Sequence, residues 1–151
     1  MKPAVAVAAA LAIVGAYSAV VLAQGRPEVP IKYRQGVMNA SGYHFYGILG
    51  GMAKGDRPYD AQVAARSATF VDQLMQMPFD GFTPGSDTGA PTKAKPEIWK
   101  DRAKFDNLMK EMQVETAKLA KVAGTDLATM RAQVQATAKT CSNCHDEFRA
   151  K

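Results

Sequence analysis

Five consecutive residues near the C-terminus, Cys141-Ser142-Asn143-Cys144-His145, put two thiols three positions apart and an imidazole directly after the second. A Cys-x-x-Cys-His run is the attachment pattern of c-type haem. Two thiols add across the two vinyl groups of the porphyrin, and the next His is placed to bind the iron from one side. Other uses of the pair fit poorly. A thioredoxin-like redox pair sits in a βαβ setting, which this chain lacks. A Cys141–Cys144 disulfide closes too small a loop to stabilise much. A zinc site needs about four ligands, and the only other His, His44, is distant in sequence. The pattern therefore points to haem c, with Cys141 and Cys144 as the covalent anchors and His145 as the axial iron ligand.

The elements that must position this motif read as helices only. No alternating apolar run marks a strand. Four segments show a helical apolar period. The first spans about Val29 to Lys54, with Ile31, Met38, Phe45, Leu49 and Met52 near one face. The second opens at Asp60, a good N-cap, carries Val63, Phe70, Leu74 and Met77, and stops at Pro78. A Gly/Pro/Ser/Thr-rich loop covers Phe79 to Lys95. The third helix runs from about Glu97 to Val122, with Phe105, Leu108, Met112 and Leu119 on a stripe. The fourth opens at Thr125 or Asp126 and continues almost to the end. On it, Leu127, Met130, Val134, Ala138, Cys141, His145 and Phe148 form one inward stripe. These elements predict an all-α, up-down-up-down antiparallel four-helix bundle with the haem enclosed.

Composition supports an enclosed cofactor. The chain has 151 residues, 47% hydrophobic and 22% charged, enough for one domain. Residues 1–23 are a positive Met1-Lys2, an uncharged Ala/Val/Leu/Ile-rich run and a small-residue cleavage site, Val21-Leu22-Ala23. This predicts a signal peptide over 1–23 and a haem domain over 24–151; the alternative is an uncleaved anchor of about bilayer length. The mature chain carries 18 Lys and Arg against 14 Asp and Glu, a net +4. It keeps 52 hydrophobic residues among 128, and 17 of these are Ala. Only 35 larger apolar side chains remain, a lean core that a porphyrin would complete. The predicted location is the periplasm, with no membrane attachment after cleavage. The dispersed charges describe a solvated surface and give no basis for nucleic-acid binding.

Tyr33-Arg34-Gln35-Gly36-Val37-Met38, Pro96-Glu97-Ile98-Trp99 and Cys141-Ser142-Asn143-Cys144-His145 together resemble the cytochrome c′ family over residues 28–151. The resemblance implies one covalently bound haem c, with Arg34 and Gln35 at the haem edge. It puts Met38 over the open face of the iron and Arg149 beside the axial His145. It implies an antiparallel homodimer through the first two helices. Such proteins bind small gases, NO and CO, at five-coordinate high-spin iron, and exchange electrons with redox partner proteins. In low-spin relatives a Met near this position is the sixth ligand, so Met38 either blocks the site or ligates. The Trp99-bearing loop, Tyr33 and Phe82 resemble the five-coordinate branch. A peroxidase-like enzyme would need a distal acid–base group, and the residue at that place is a Met; the expectation is a non-enzymatic cytochrome. His44, turned about 120° from Met38 along an α-helix, is expected at the surface or an interface. Met52, Met75, Met77, Met109, Met112 and Met130 are expected in the core, and Tyr43, Phe45 and Tyr46 either at a dimer contact or over the haem.

Overall fold

A computed structural model describes residues 26–151; the signal peptide expected over 1–23 lies outside them. The first bundle helix is continuous but not uniform. An α-helical α1 (Glu28–Gly42) passes into a π-helical stretch (Tyr43–Leu49) and back into a short α2 (Gly50–Lys54). Backbone angles at both junctions stay in the right-handed region, so the rod is unbroken. It ends at Gly55, whose φ of 89° favours glycine. The face expected from the sequence is the buried one: Ile31, Phe45, Leu49 and Met52 are enclosed, and Met38 is half-buried.

The second bundle helix, α3 (Ala61–Gln76), opens where Asp60 accepts a 2.9 Å hydrogen bond from the Val63 amide. Its buried face corrects the sequence reading. Ala64, Ser67, Ala68, Val71 and Met75 point inward; of the expected stripe, Val63 and Leu74 are half-buried against the core, while Phe70 and Met77 are each 40% exposed. The five inward residues share the helical period of Val63, Phe70, Leu74 and Met77 and differ in size. Small Ala64 and Ala68 let α3 lie close to its neighbours, which a row of large side chains would prevent. Beyond Met77, Pro78–Gly81 form one 3₁₀ turn inside the segment that the sequence leaves irregular.

The third helix is also divided. A short α4 (Glu97–Lys100) ends at Asp101, and α5 (Arg102–Val122) starts anew. Asp101 adopts φ −119° and ψ 63° and accepts from the Lys104 amide at 3.1 Å, so it caps a second start within the expected run. The last helix, α6 (Leu127–Phe148), is capped by Asp126, which accepts from the Thr129 amide at 2.8 Å. The α5 helix packs on α3 and α6, the π-helical stretch on α3, and α2 on α6. The result is the four-helix bundle that the sequence predicts. No helix among the described residues is long and apolar enough to cross a membrane.

Candidate haem-binding site

The last helix positions the motif. Cys141 follows Thr137 by four residues, and His145 follows Cys141 by four, so the three share one face of α6. That face opens on a cavity of about 690 Å³ between the helices. Such a volume lies in the middle of the range for sites that hold a sizeable organic ligand. Cys141, Cys144 and His145 all line it. Arg34, Gln35, Met38 and Arg149 line it too, so residues from both ends of the chain meet at one site.

The electrostatics of the motif separate it from a redox pair. Burial pushes the Cys141 thiol up, and it pushes Cys144 up to about 11, with Cys141 adding a smaller effect. A thioredoxin-type attacking cysteine needs the opposite, a lowered pKa that supplies thiolate. Burial lowers the His145 pKa, Arg149 adds to the lowering, and Asp146 opposes it. A neutral imidazole is the form that binds metal.

The walls fit a porphyrin. Phe45, Val71, Phe82, Ile98, Phe105 and Phe148 supply apolar surface, and Arg34, Lys93 and Arg149 supply cationic groups suited to two propionates. Among the described residues, none of these three makes an ion pair with a carboxylate. The lean core is thus accounted for: the bundle closes around a space of ligand size instead of filling it with side chains.

Arg34 and Gln35 line the cavity, and their side-chain nitrogens are also bonded to the loop. Arg34 is 3% exposed. Its Nη1 donates to the Gly81 carbonyl (2.6 Å) and Ser86 Oγ (2.9 Å), and its Nη2 to the Ser86 carbonyl (2.8 Å) and Thr92 Oγ1 (3.2 Å). Gln35 Nε2 donates to the Pro91 carbonyl at 2.9 Å. The guanidinium also lies 4.8 Å from the Phe82 ring centre. Gly81 is required here, because a Cβ would stand 2.9 Å from the Pro30 carbonyl oxygen and 2.6 Å from Arg34 Cβ. Arg34 therefore folds the loop against the cavity as well as lining it.

The aromatic cluster of the first helix divides. Phe45 and Tyr46 line the cavity, whereas Tyr43 is 67% exposed and turned outward. His44 is half-buried off the cavity, with its ring 4.9 Å from Phe70 and 5.2 Å from Tyr43. Of the methionines expected in the core, Met52, Met75, Met109, Met112 and Met130 are there and Met77 is exposed; Met75, Met109 and Met112 also form cavity wall beside Met38. Buried Thr116 and Thr137 also line the cavity. Their hydroxyls are committed elsewhere, Thr116 to Asp72 Oδ1 at 3.0 Å and Thr137 to the Gln133 carbonyl at 2.9 Å. The sequence did carry the signals for these wall residues. Met109, Met112 and Thr116 continue from Phe105 at helical spacing, and Thr137 stands one turn before Cys141.

Comparison with known proteins agrees with this geometry. The family model described as cytochrome C′ matches residues 29–149. The cytochrome c′ of Rubrivivax gelatinosus is 37% identical over 127 residues, covering 83% of this chain and 98% of that protein. Its crystal structure superposes with a TM-score of 0.79 at 36% identity, covering 83% and 98% of the two chains. The cytochrome c′ structure from Shewanella frigidimarina gives 0.79 at 36% identity over 84% and 98%. A nitric oxide complex of a mutant cytochrome c′ from Alcaligenes xylosoxidans gives 0.76 at 33% identity over 84% and 98%. Proteins of this family carry covalently bound haem c in an up-down-up-down bundle, of which cytochrome c′ is a standard example. A chain with this bundle, this cavity and a Cys-x-x-Cys-His run facing into it belongs to the cytochrome c′ family.

Proposed function

We propose that this cytochrome is an exported haem protein that binds nitric oxide, and carbon monoxide in the same manner, at five-coordinate iron, and that it also exchanges electrons with a redox partner protein. Cys141 and Cys144 anchor the porphyrin, and His145 is the axial ligand. Arg34, Gln35, Lys93 and Arg149 serve its polar edge, with Arg149 beside His145. The bound iron supplies a redox centre with one axial position for a diatomic gas. Met38 stands at the cavity from the helix opposite the motif and restricts entry to small ligands. The observation that carries the reading is the shared cavity, which brings Met38 of α1 and His145 of α6 to a single space with mostly apolar walls. The nitric oxide complex solved for the Alcaligenes xylosoxidans relative supports the choice of gas.

The second reading is a low-spin electron carrier with Met38 as sixth ligand, favoured by the same placement of the Met38 side chain on the cavity wall. Optical and EPR spectra of the ferric and ferrous protein separate the two. High-spin spectra that change on adding nitric oxide are expected. A six-coordinate low-spin spectrum that is lost in Met38→Ala would replace this reading with Met ligation.

The signal peptide over 1–23 and periplasmic location belong to the same proposal, supported by the residues themselves and tested by the mass of the mature N-terminus, expected at Gln24. A homodimer through the first two bundle helices is supported by the cluster of Tyr43, His44 and Phe70, in which Tyr43 and Phe70 are exposed among the described residues.

A further inference from the structure

The last four carbonyls of a helix have no partner within it and must find one elsewhere. In α6 these belong to His145, Asp146, Glu147 and Phe148. The His145 carbonyl accepts from the Arg149 amide at 3.0 Å. The other three are all met by one residue of the long loop. The Lys95 amide donates to the Phe148 carbonyl at 2.9 Å, and Lys95 Nζ donates to the Glu147 carbonyl at 2.9 Å and the Asp146 carbonyl at 3.3 Å. The Ala150 amide donates back to the Lys93 carbonyl at 2.8 Å, so Ala94 and Arg149 pair as a short antiparallel bridge.

This arrangement places a cation on the negative end of the helix that carries His145. It also holds Arg149 in an extended conformation at the cavity edge. Any movement of the last turn that would carry the His145 backbone away from the cavity strains the Lys95 bonds. The loop that delivers Lys95 is itself fixed from the first helix. Arg34 holds Thr92, whose Oγ1 accepts from the Ala94 amide at 3.1 Å, and Gln35 holds Pro91.

We infer that Lys95 is a positioning residue for the axial imidazole, capping the final turn of α6 from outside and limiting how far His145 can withdraw from the iron. The inference rests on the proposed ligation by His145.

The test compares the holoprotein with K95M, which keeps the aliphatic stem and loses the ammonium, and with K95R, which keeps the charge. A K104M control removes only the exposed 2.8 Å ion pair between Lys104 and Glu147. Two readouts are used: the iron–imidazole stretching band of the ferrous protein by resonance Raman, and amide exchange at Ala150. K95M is expected to shift or broaden the band and to speed Ala150 exchange about two- to fivefold, the equivalent of a lost charge–helix-end interaction. K95R is expected to restore both, and K104M to leave the band in place. An unchanged band in K95M, or an equal change in K104M, would overturn the role of Lys95. A wild-type protein without an iron–imidazole band would instead overturn ligation by His145, so the two failures are distinct.

Discussion

Replacing Arg34 by Met tests whether the long loop is organised by a single buried guanidinium. The substitution keeps an unbranched stem and deletes four hydrogen bonds, with acceptors at 2.6, 2.9, 2.8 and 3.2 Å. Ser86 Oγ stands 3.3 Å from the Gly81 carbonyl, but its single proton also serves the Thr83 carbonyl at 2.8 Å, so it offsets that loss only in part. The Ser86 carbonyl belongs to a fully buried residue and is left without its donor, a cost of about 1–3 kcal/mol. Loss of the charged contact over Phe82 adds about 1 kcal/mol. Relief from burying the cation works the other way; burial already lowers the Arg34 pKa, opposed by Asp87. The balance is a destabilisation of about 3 kcal/mol, within the range for breaking a buried charged network. Urea unfolding of the holoprotein, followed by circular dichroism, measures it. Limited trypsin digestion after Lys93 reads the loop separately, with faster cleavage expected; the Lys95–Pro96 bond is not a trypsin site. R34K should recover less than half of the loss, because one ammonium does not reproduce the planar fork that reaches four acceptors. Stability within about 1 kcal/mol of wild type and unchanged loop cleavage in R34M would refute the assignment.

Three further perturbations follow from the same geometry. Gly81→Ala places a Cβ 2.9 Å from the Pro30 carbonyl oxygen, and the displaced loop should lower stability by about 1–3 kcal/mol in the same unfolding assay. The Glu115 carboxyl is held below its ordinary range by bonds from Lys118 and then Gln133, with burial opposing. A carboxylate whose pKa is depressed on folding stabilises above its unfolded pKa, and that contribution is lost as pH falls through the folded value. Wild-type stability should therefore decline below about pH 4.5, while E115Q loses about 1 kcal/mol at neutral pH and shows a flatter acid limb. Phe70→Asp places a charge on the outward aromatic cluster. Sedimentation equilibrium should show a dimer for wild type and a monomer for the variant, with the haem spectrum unchanged.

The parts of this molecule that were legible in the sequence are those that one residue type can enforce. Asp60 and Asp126 start helices by accepting an amide bond, Pro78 stops one, and Cys141, Cys144 and His145 share a helical face by spacing alone. What escaped detection depends on choices among nearly equivalent patterns. Val63, Phe70, Leu74 and Met77 have the helical period, but so do Ala64, Ser67, Ala68, Val71 and Met75. Counting apolar bulk selects the first set, whereas close helix approach and the cavity wall select the second. Met75, Met109 and Met112 are in the core as expected, but that they also line the cavity was not legible, because a residue on a cofactor cavity is as apolar as one packed on another side chain. The π-helical turn at Tyr43–Leu49 leaves no periodic mark of its own. Arg34 read as a haem-edge residue from the family resemblance; that its four bonds go to Gly81, Ser86 and Thr92 depends on how a loop about fifty residues away folds back on it.

The central claim is that the cavity at Cys141, Cys144 and His145 is a covalent haem site. The direct measurement is the intact mass of the protein produced in a periplasmic host with a cytochrome c maturation system, compared with that of the C141S/C144S double variant. The account predicts one haem added to the wild-type chain, surviving acid denaturation and located on the peptide that contains Cys141 and Cys144, and none on the variant. A wild-type mass without haem, or haem that acid extraction removes, would contradict it.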